Sequence, residues 1–276
     1  MPVTLLLCEG GNNSPDVRVL NKLLSGLCEV RPMGGKYGMG ERIKARREAF
    51  KRDVVFGLLD GDFLDQWVVP QNKPGPWVSS DGIQLGWRWE RKEIENYLID
   101  PQVVSRALGH GAPPTARYGQ ALRQASDKIA IYQAARTALS VCRRRFRPLP
   151  SAFGPARGRE EHPFPDDLTE IGCRQGIRQA VETHQDTQTV TVQDVLACFN
   201  NYLPDFLVNG VRSQHYLHAF AGKDILWAMD EHLRQYEFAG AMAFREKILQ
   251  GIRQTSEDIA DWHPEWRALR EQISRI

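Results

Sequence analysis

The chain predicts an α/β fold: a parallel β-sheet flanked by helices, with a mostly α-helical inserted subdomain. Three observations carry the prediction. The first third runs β-α-β-α-β, the order of parallel strands joined by right-handed crossovers. Its apolar runs are continuous rather than alternating, as in strands buried on both faces. From about 106 to 213 the pattern is helical almost throughout. With 276 residues, there is enough chain for one large domain or two smaller ones, each with a core. Segments 1–105 and 213–276 are assigned to the sheet domain, with a last strand and helix returning after about 213, and segment 106–212 to the insertion.

The elements follow in order. "VTLLLCEG" is a first strand closed by Glu9 and Gly10. "SPDVRVLNKLLSGL" is a helix: Ser14 caps it, Pro15 suits its first turn, Asp16 favours its positive end, and Val17, Leu20, Leu23 and Leu24 recur at helical spacing. "CEVRPM" is a second strand, "GGKYGMG" a glycine-rich loop and "ERIKARREAFKR" a basic helix. "VVFGLL" is the third strand, ending at Asp60-Gly61-Asp62. The stretch from 66 to 90 holds three prolines and four tryptophans, and reads as a hairpin or an irregular excursion. "RKEIENYLIDPQVVSRAL" resumes as helix, with Pro101 able to start a new one. Within the insertion, "GQALRQASDKIAIYQAARTALSVCRRRF" is the longest helix, "RPLPSAFGPARGREEHPFPDD" a Pro/Gly-rich loop, and Thr191 a cap for the helix after it. "HYLHAFAGKDILWAMDEHLRQ" reads as a short strand, a Gly-Lys turn and a helix.

Composition bounds the function. The chain is 42% hydrophobic and 25% charged, as globular proteins are. No apolar run approaches the roughly 18 residues of a membrane span, so no membrane partner is expected. "MPVTLLLCEG" lacks a basic segment and reads as a strand rather than a signal peptide. Cys8, Cys28, Cys142, Cys173 and Cys198 are scattered and form no CxxC. A reducing cytoplasm is therefore the expected compartment. The net charge of +2 is small, but Lys and Arg cluster from Lys36 to Arg52, from Arg143 to Arg147, and at Arg157 and Arg159. These clusters are either solvated helix faces or a phosphate-binding surface. On the second reading Lys36, Arg42, Arg46, Arg143, Arg144 and Arg145 contact nucleic acid.

Three acidic groups lie at or near element ends: Glu9, the pair Asp60 and Asp62, and the pair Glu93 and Glu95. In an open parallel sheet, functional groups collect beyond the carboxyl ends of the strands. Glu9 and Asp60 are neighbours there if strands one and three are adjacent, and in extended chain Asp60 and Asp62 share a face. So many carboxylates in one crevice repel unless a cation neutralises them. An all-oxygen set suits Mg²⁺, and two such ions about 3.5–4 Å apart promote phosphodiester cleavage. Each group alone is commonplace; the combination in this order is specific.

Together "LLLCEGG", "VVFGLLDGDF" and "ERKEIENYLIDP" resemble a TOPRIM domain, the metal-binding fold of topoisomerases, primases and a set of nucleases. "EIENYL" resembles the nuclease branch, notably the overcoming-lysogenization-defect (OLD) type and the shorter relatives that accompany a separate ATPase in phage defence. "GGK" at Gly34 to Lys36 and "AGKDIL" at Ala221 to Leu226 look like that branch too. The resemblance covers residues 1 to about 105, and about 213 to 250 more loosely. It implies a Mg²⁺- or Mn²⁺-dependent endonuclease acting on DNA or RNA by a two-metal mechanism. Glu9, Asp60 and Asp62 are then catalytic and metal-binding, Glu93 and Glu95 complete a second metal site, and Lys223 offsets charge at the scissile phosphate. The family often has another acid four residues after the first glutamate. Asn13 stands there, and Asp16 either substitutes or serves the helix end.

Other sites weigh less. "GGKYGMG" is not a P-loop; it is a strand-to-helix connection, or it brings Lys36 and backbone amides to a phosphate. With no ATP-binding motif, any ATPase is another polypeptide. His215 and His218 have metal-ligand spacing but no third ligand nearby in sequence, so packing or surface roles are expected. Trp77, Trp87 and Trp89 are expected to pack rather than stack on bases. No serine or cysteine nucleophile motif is present. The runner-up function is a catalytically degenerate TOPRIM module that binds nucleic acid or a protein partner without cutting. Self-association into a homo-oligomer is left open.

Overall fold

The structure, a computed structural model, describes residues 2–50, 54–63, 69–145, 167–182 and 190–276. Strands β1 (Leu5–Cys8), β2 (Glu29–Pro32), β3 (Val55–Leu59), β4 (Gly75–Val78) and β5 (Gln84–Arg88) form one sheet in the order β2-β1-β3-β5-β4. All pairings are parallel except β4 with β5. Helix α1 (Pro15–Leu23) links β1 to β2, and α2 (Met39–Ala49) links β2 to β3. The continuous apolar runs are explained by burial on both faces. Leu5, Leu7, Val55 and Leu59 pack with Met39 and Ile43 of α2 on one face, while Leu6, Cys8 and Leu58 join Leu20 and Leu23 of α1 in the larger core on the other.

The order β2-β1-β3 has a functional consequence. The chain leaves β1 toward β2 on one side and later places β3 on the other. The connecting helices lie on opposite faces, so a crevice opens beyond the carboxyl ends of β1 and β3. Ser14 caps α1 as the sequence indicates, its Oγ accepting from Val17 N–H at 3.4 Å.

The hairpin reading of 66–90 holds, since β4 and β5 pair antiparallel, and β5 is in addition a core strand parallel to β3. One expectation is corrected. No strand returns after 213 among the described residues: "HYLHAFAGK" forms α9 (Tyr216–Ala219) and the start of α10 (Gly222–Ala228). The polar and apolar residues of this stretch recur every three positions, a spacing that suits a helix rather than a strand. The segment after β5 divides into α3 (Glu95–Leu98) and α4 (Pro101–Leu108), because Asp100 caps a new helix at Pro101. Helix α5 (Thr115–Arg145) runs along α6 (Glu170–Glu182), α7 (Val192–Phe206) and α10. Thr191 caps α7 in a reciprocal pair with Asp194. After α8 (Val211–Gln214) and α11 (Asp230–Gln235), helix α12 (Ala241–Gln254) packs on α1 and α4, and α13 (Pro264–Ser274) closes the chain. One hydrophobic core runs from Val3 to Ile273 through sheet and helices.

Trp87 and Trp89 are buried in that core, and Trp77 packs against the α2-side cluster. His218 is half-buried, and desolvation with nearby Arg91 lowers its pKa to about 3, so it packs as a neutral ring. None of the five cysteines is in a disulfide. No helix among the described residues is long and apolar enough to cross a membrane.

Candidate metal centre

The acids meet where the topology opens the crevice. Cys8 pairs with Leu58 across β1 and β3, which sets Glu9 beside the end of β3. Glu9 Oε1 accepts the Asp60 N–H at 3.2 Å. β3 ends at Leu59, and the next residues turn rather than run on extended. Gly61 and Asp62 donate their N–H groups to the carbonyls of Arg91 (3.1 Å) and Lys92 (2.9 Å). Gly61 lies so close to this segment after β5 that a Cβ would strike the Arg91 carbonyl. Asp62 has φ 49°, a left-handed conformation that Asp tolerates better than most residues. The expected extended-chain alternation therefore does not aim Asp62; this turn does. Its carboxylate is ion-paired with Lys36. Lys36 is brought in by a two-way backbone bridge between Gly10 and Gly34, with bonds of 2.8 and 2.9 Å.

The second half of the site comes from "EIENYL". Asn96 is fully buried and clamps two segments together. Its Oδ1 accepts the N–H groups of Glu93 (3.1 Å) and Gly222 (3.0 Å). Its Nδ2 donates to the carbonyls of Leu217 (2.9 Å) and Phe220 (2.8 Å). Gly222 is required by the approach, since a Cβ there would strike the Asn96 backbone. Glu93 Oε1 in turn accepts the Lys223 N–H at 2.6 Å. The Lys223 ammonium stands 3.5 Å from Glu93 and 3.7 Å from Glu95, and Arg245 reaches Glu95 at 3.3 Å. Behind α10, Asp224 is ion-paired with Arg136 and accepts from Gln133 Nε2 at 2.6 Å, while Gln133 Oε1 accepts Ala221 N–H at 2.9 Å. A further buried bond set fixes the chain after β5: Glu265 accepts from Glu90 N–H and from the Tyr97 hydroxyl, both at 2.6 Å.

Electrostatics join the two halves. Burial pushes the Asp60 carboxyl well above the ordinary range, and Asp16, Glu9 and Glu93 push it further. Burial and Asp62 raise Glu9, against the lowering effects of Lys36 and Arg88. Burial raises Asp16 to about 6 and Glu95 to about 7, with Glu93 raising both. The same acids, Glu93 foremost, raise the pKa of Lys223. Like charges packed this way destabilise one another.

Glu9, Asp60, Asp62, Glu93, Glu95 and Lys223 are thus brought into one network. Asn13 is exposed in the turn, whereas Asp16 acts on Asp60. The basic candidates divide. Lys36 is engaged with Asp62. Arg42 turns toward the Met33 sulfur at 3.8 Å, and Arg46 lies over the Phe50 ring at 5.7 Å. Arg143 is half-buried on α5; the side chains of Arg144 and Arg145, like Lys51, Arg52, Arg147, Arg157 and Arg159, lie outside the described residues. Sequence reasoning missed Asn96, Gln133, Arg136, Arg245 and Arg88 as supports. Only Asn96 carried a signal, inside the "ENYL" motif.

The donor chemistry fits a hard divalent cation, since every candidate ligand is a carboxylate oxygen. Glu95 Oε2 is buried without a hydrogen-bond partner. As the side chains stand, no three His, Cys, Asp or Glu groups among the described residues converge on one point; Lys36 and Lys223 supply the positive charge instead.

The raised pKa values set a pH dependence. Between the ordinary carboxylate range and about pH 6–7, the folded chain binds more protons at Asp16 and Glu95 than the unfolded chain does. Their contribution to stability is present at low pH and is lost as pH rises through those values. A cation requires the deprotonated acids, so its benefit runs the other way. The rise in Tm caused by Mn²⁺ is expected to be small at about pH 5 and large at about pH 7.5, read by differential scanning fluorimetry. An Mn²⁺ effect that does not grow with pH contradicts this assignment.

The fold and site together define a mixed α/β protein with an acid-lined crevice at the carboxyl edge of its sheet. No family model matches the chain, and no curated protein matches it.

Proposed function

We propose that the protein is a divalent-metal-dependent endonuclease of TOPRIM type that hydrolyses phosphodiester bonds in DNA or RNA. The observation that carries this reading is that Glu9 at the end of β1 accepts the Asp60 N–H at the end of β3, while Glu93 and Glu95 share Lys223, and Asp16, Glu9 and Glu93 all disfavour the charge on Asp60. Such a set lowers stability without a cation and gains when one binds. Glu9, Asp60 and Asp62 hold one Mg²⁺ or Mn²⁺, and Glu93 and Glu95 hold a second, with Asp16 contributing in place of Asn13. When bound, the ions activate water and neutralise charge on the phosphate. Lys223, half of whose side chain is exposed, turns from Glu93 to the scissile phosphate and offsets its developing charge. Lys36 releases Asp62 and takes a neighbouring phosphate. By the resemblance of its motifs, the setting is phage defence, with a separate ATPase as partner.

A second reading is supported by the pairing of Lys36 with Asp62 and of Lys223 with Glu93 and Glu95. In a degenerate module those lysines are permanent counter-ions, and the protein binds nucleic acid or a partner without cutting.

The test is cleavage of supercoiled plasmid and of total tRNA by the purified chain in Mg²⁺, Mn²⁺ or EDTA, beside Asp60→Ala/Asp62→Ala. Metal-dependent cutting that the double variant lacks supports the nuclease and identifies its substrate. Binding without cutting in any metal favours the degenerate module.

A further inference from the structure

We infer that the groove between α1 and α12 is a binding track for the sugar–phosphate backbone of a nucleic acid, entered from the candidate metal centre. The inference rests on the nuclease reading above for its substrate class and adds a surface which that reading does not use.

The groove has a volume of about 430 Å³ and is lined by Arg18, Ala243, Glu246, Lys247, Gln250 and Arg253. The five from α12 recur at intervals of three or four residues, apart from the adjacent pair Glu246 and Lys247. They therefore share one helical face, and α1 presents Arg18 opposite. Three of the six are cations and one is an acid. That acid is already engaged: Glu246 pairs with Arg18 at 2.6 Å and with Arg245 at 3.6 Å. Lys247 and Arg253 are exposed and have no ion-pair partner among the described residues. They lie six residues apart, about 9 Å along the helix, with the Gln250 amide between them as a neutral donor. Cations and amides in this arrangement match phosphate and sugar oxygens, the groups that position a nucleic acid without reading its sequence.

Continuity with the acids favours a nucleic acid over an acidic peptide. Glu95, Arg245, Glu246 and Arg18 form a line of alternating charge, with contacts of 3.3, 3.6 and 2.6 Å. The line leads from the second half of the metal centre into the groove. A strand held at Lys247 and Arg253 reaches the acids along it, and Arg18 is available to a phosphate once it leaves Glu246.

The test uses the full chain in EDTA, so that nothing is cut. Binding of fluorescein-labelled 20-mers, as single-stranded DNA, single-stranded RNA and duplex DNA, is followed by anisotropy from about 0.05 to 0.3 M NaCl. Lys247→Ala/Arg253→Ala is expected to weaken binding about tenfold at low salt. It is also expected to flatten the log–log salt slope by about 1.4 for single strands, or about 1.8 for duplex. Hydrolysis of bis(4-nitrophenyl) phosphate in Mn²⁺, a substrate too small to reach the groove, is expected to stay unchanged in the same variant. Unchanged oligonucleotide affinity and slope overturn the proposal, as does tighter binding of poly-glutamate than of any oligonucleotide. The two failures are separable. A wild-type chain that hydrolyses nothing but binds oligonucleotide through Lys247 and Arg253 overturns the nuclease reading and leaves the track. Hydrolysis that persists while the variant binds oligonucleotide normally does the reverse.

Discussion

Asp60→Asn is expected to abolish metal-dependent cleavage while making the metal-free chain harder to unfold. The two effects have one origin. Asp60 sits where Glu9, Asp16 and Glu93 all bear on its carboxyl, and burial adds to the cost of its charge. Asparagine keeps the shape and removes the charge, so the Tm measured in EDTA at about pH 7.5 rises. The same change removes an oxygen ligand from the centre of the proposed site. Ions there are asked to supply several kcal/mol of charge stabilisation, and at 1.36 kcal/mol per tenfold the loss of cleavage reaches about a thousandfold. The backbone N–H that Asp60 gives to Glu9 is untouched, so the local fold survives. An acid kept for structure behaves oppositely: its removal lowers Tm and leaves any activity in proportion to the folded fraction. A gain in stability with a loss of function is the pattern of a site that gives up stability for chemistry.

Asn96→Ala is expected to give the largest loss of stability among single changes at the site. The side chain makes four hydrogen bonds in a fully buried setting, two as acceptor and two as donor. Alanine leaves the N–H groups of Glu93 and Gly222 and the carbonyls of Leu217 and Phe220 without this partner. Each such orphan costs about 1–3 kcal/mol, so even with partial relaxation the total is about 4 kcal/mol. At about 2–4 °C per kcal/mol for a chain of this size, Tm falls by roughly 8–16 °C. Asn96→Asp keeps the acceptors, loses the donors and buries an acid, so it also destabilises. The functional consequence is distinct from unfolding. Asn96 holds Glu93 and Lys223 in register, so variant chain assayed well below its Tm has weaker Mn²⁺ affinity than wild type. An Asn96→Ala chain with unchanged Tm and unchanged Mn²⁺ affinity contradicts the clamp.

The parallel sheet was legible because its first and third strands, LLLC and VFGLL, are apolar runs with punctuated ends, and because capping residues such as Ser14 and Thr191 name their own helices. The fifth strand was hidden. "QLGWR" falls in the stretch that reads as a hairpin or an irregular excursion, and its arginine and glycine do not mark it as a strand of the parallel sheet. Its identity as a core strand depends on Gly86 lying against Gly57 of β3, a contact between residues 29 apart that no local pattern announces. The late strand was misread because "HYLHAF" is short and rich in apolar residues; its pattern in fact repeats every three residues, which suits the helical turn it forms.

The acids of the site were legible as residue types at strand ends. What assembles them was not. The left-handed turn at Asp62, the Asn96 clamp, and the support that Gln133 and Arg136 give to α10 through Asp224 are long-range contacts. Asp16 was ambiguous in sequence because a helix start accounts for an acid equally well. That its charge bears on the Asp60 carboxyl depends on the tertiary fold.

The most direct test of the central claim is a calorimetric titration of Mn²⁺ into the purified chain at about pH 7.5, beside Asp60→Asn. The account predicts saturable binding of about two ions per chain, with Asp60→Asn losing most of the heat while remaining folded. Absence of binding to the wild type, or identical isotherms for the two proteins, would show that the acids gathered around Asp60 are not a metal site.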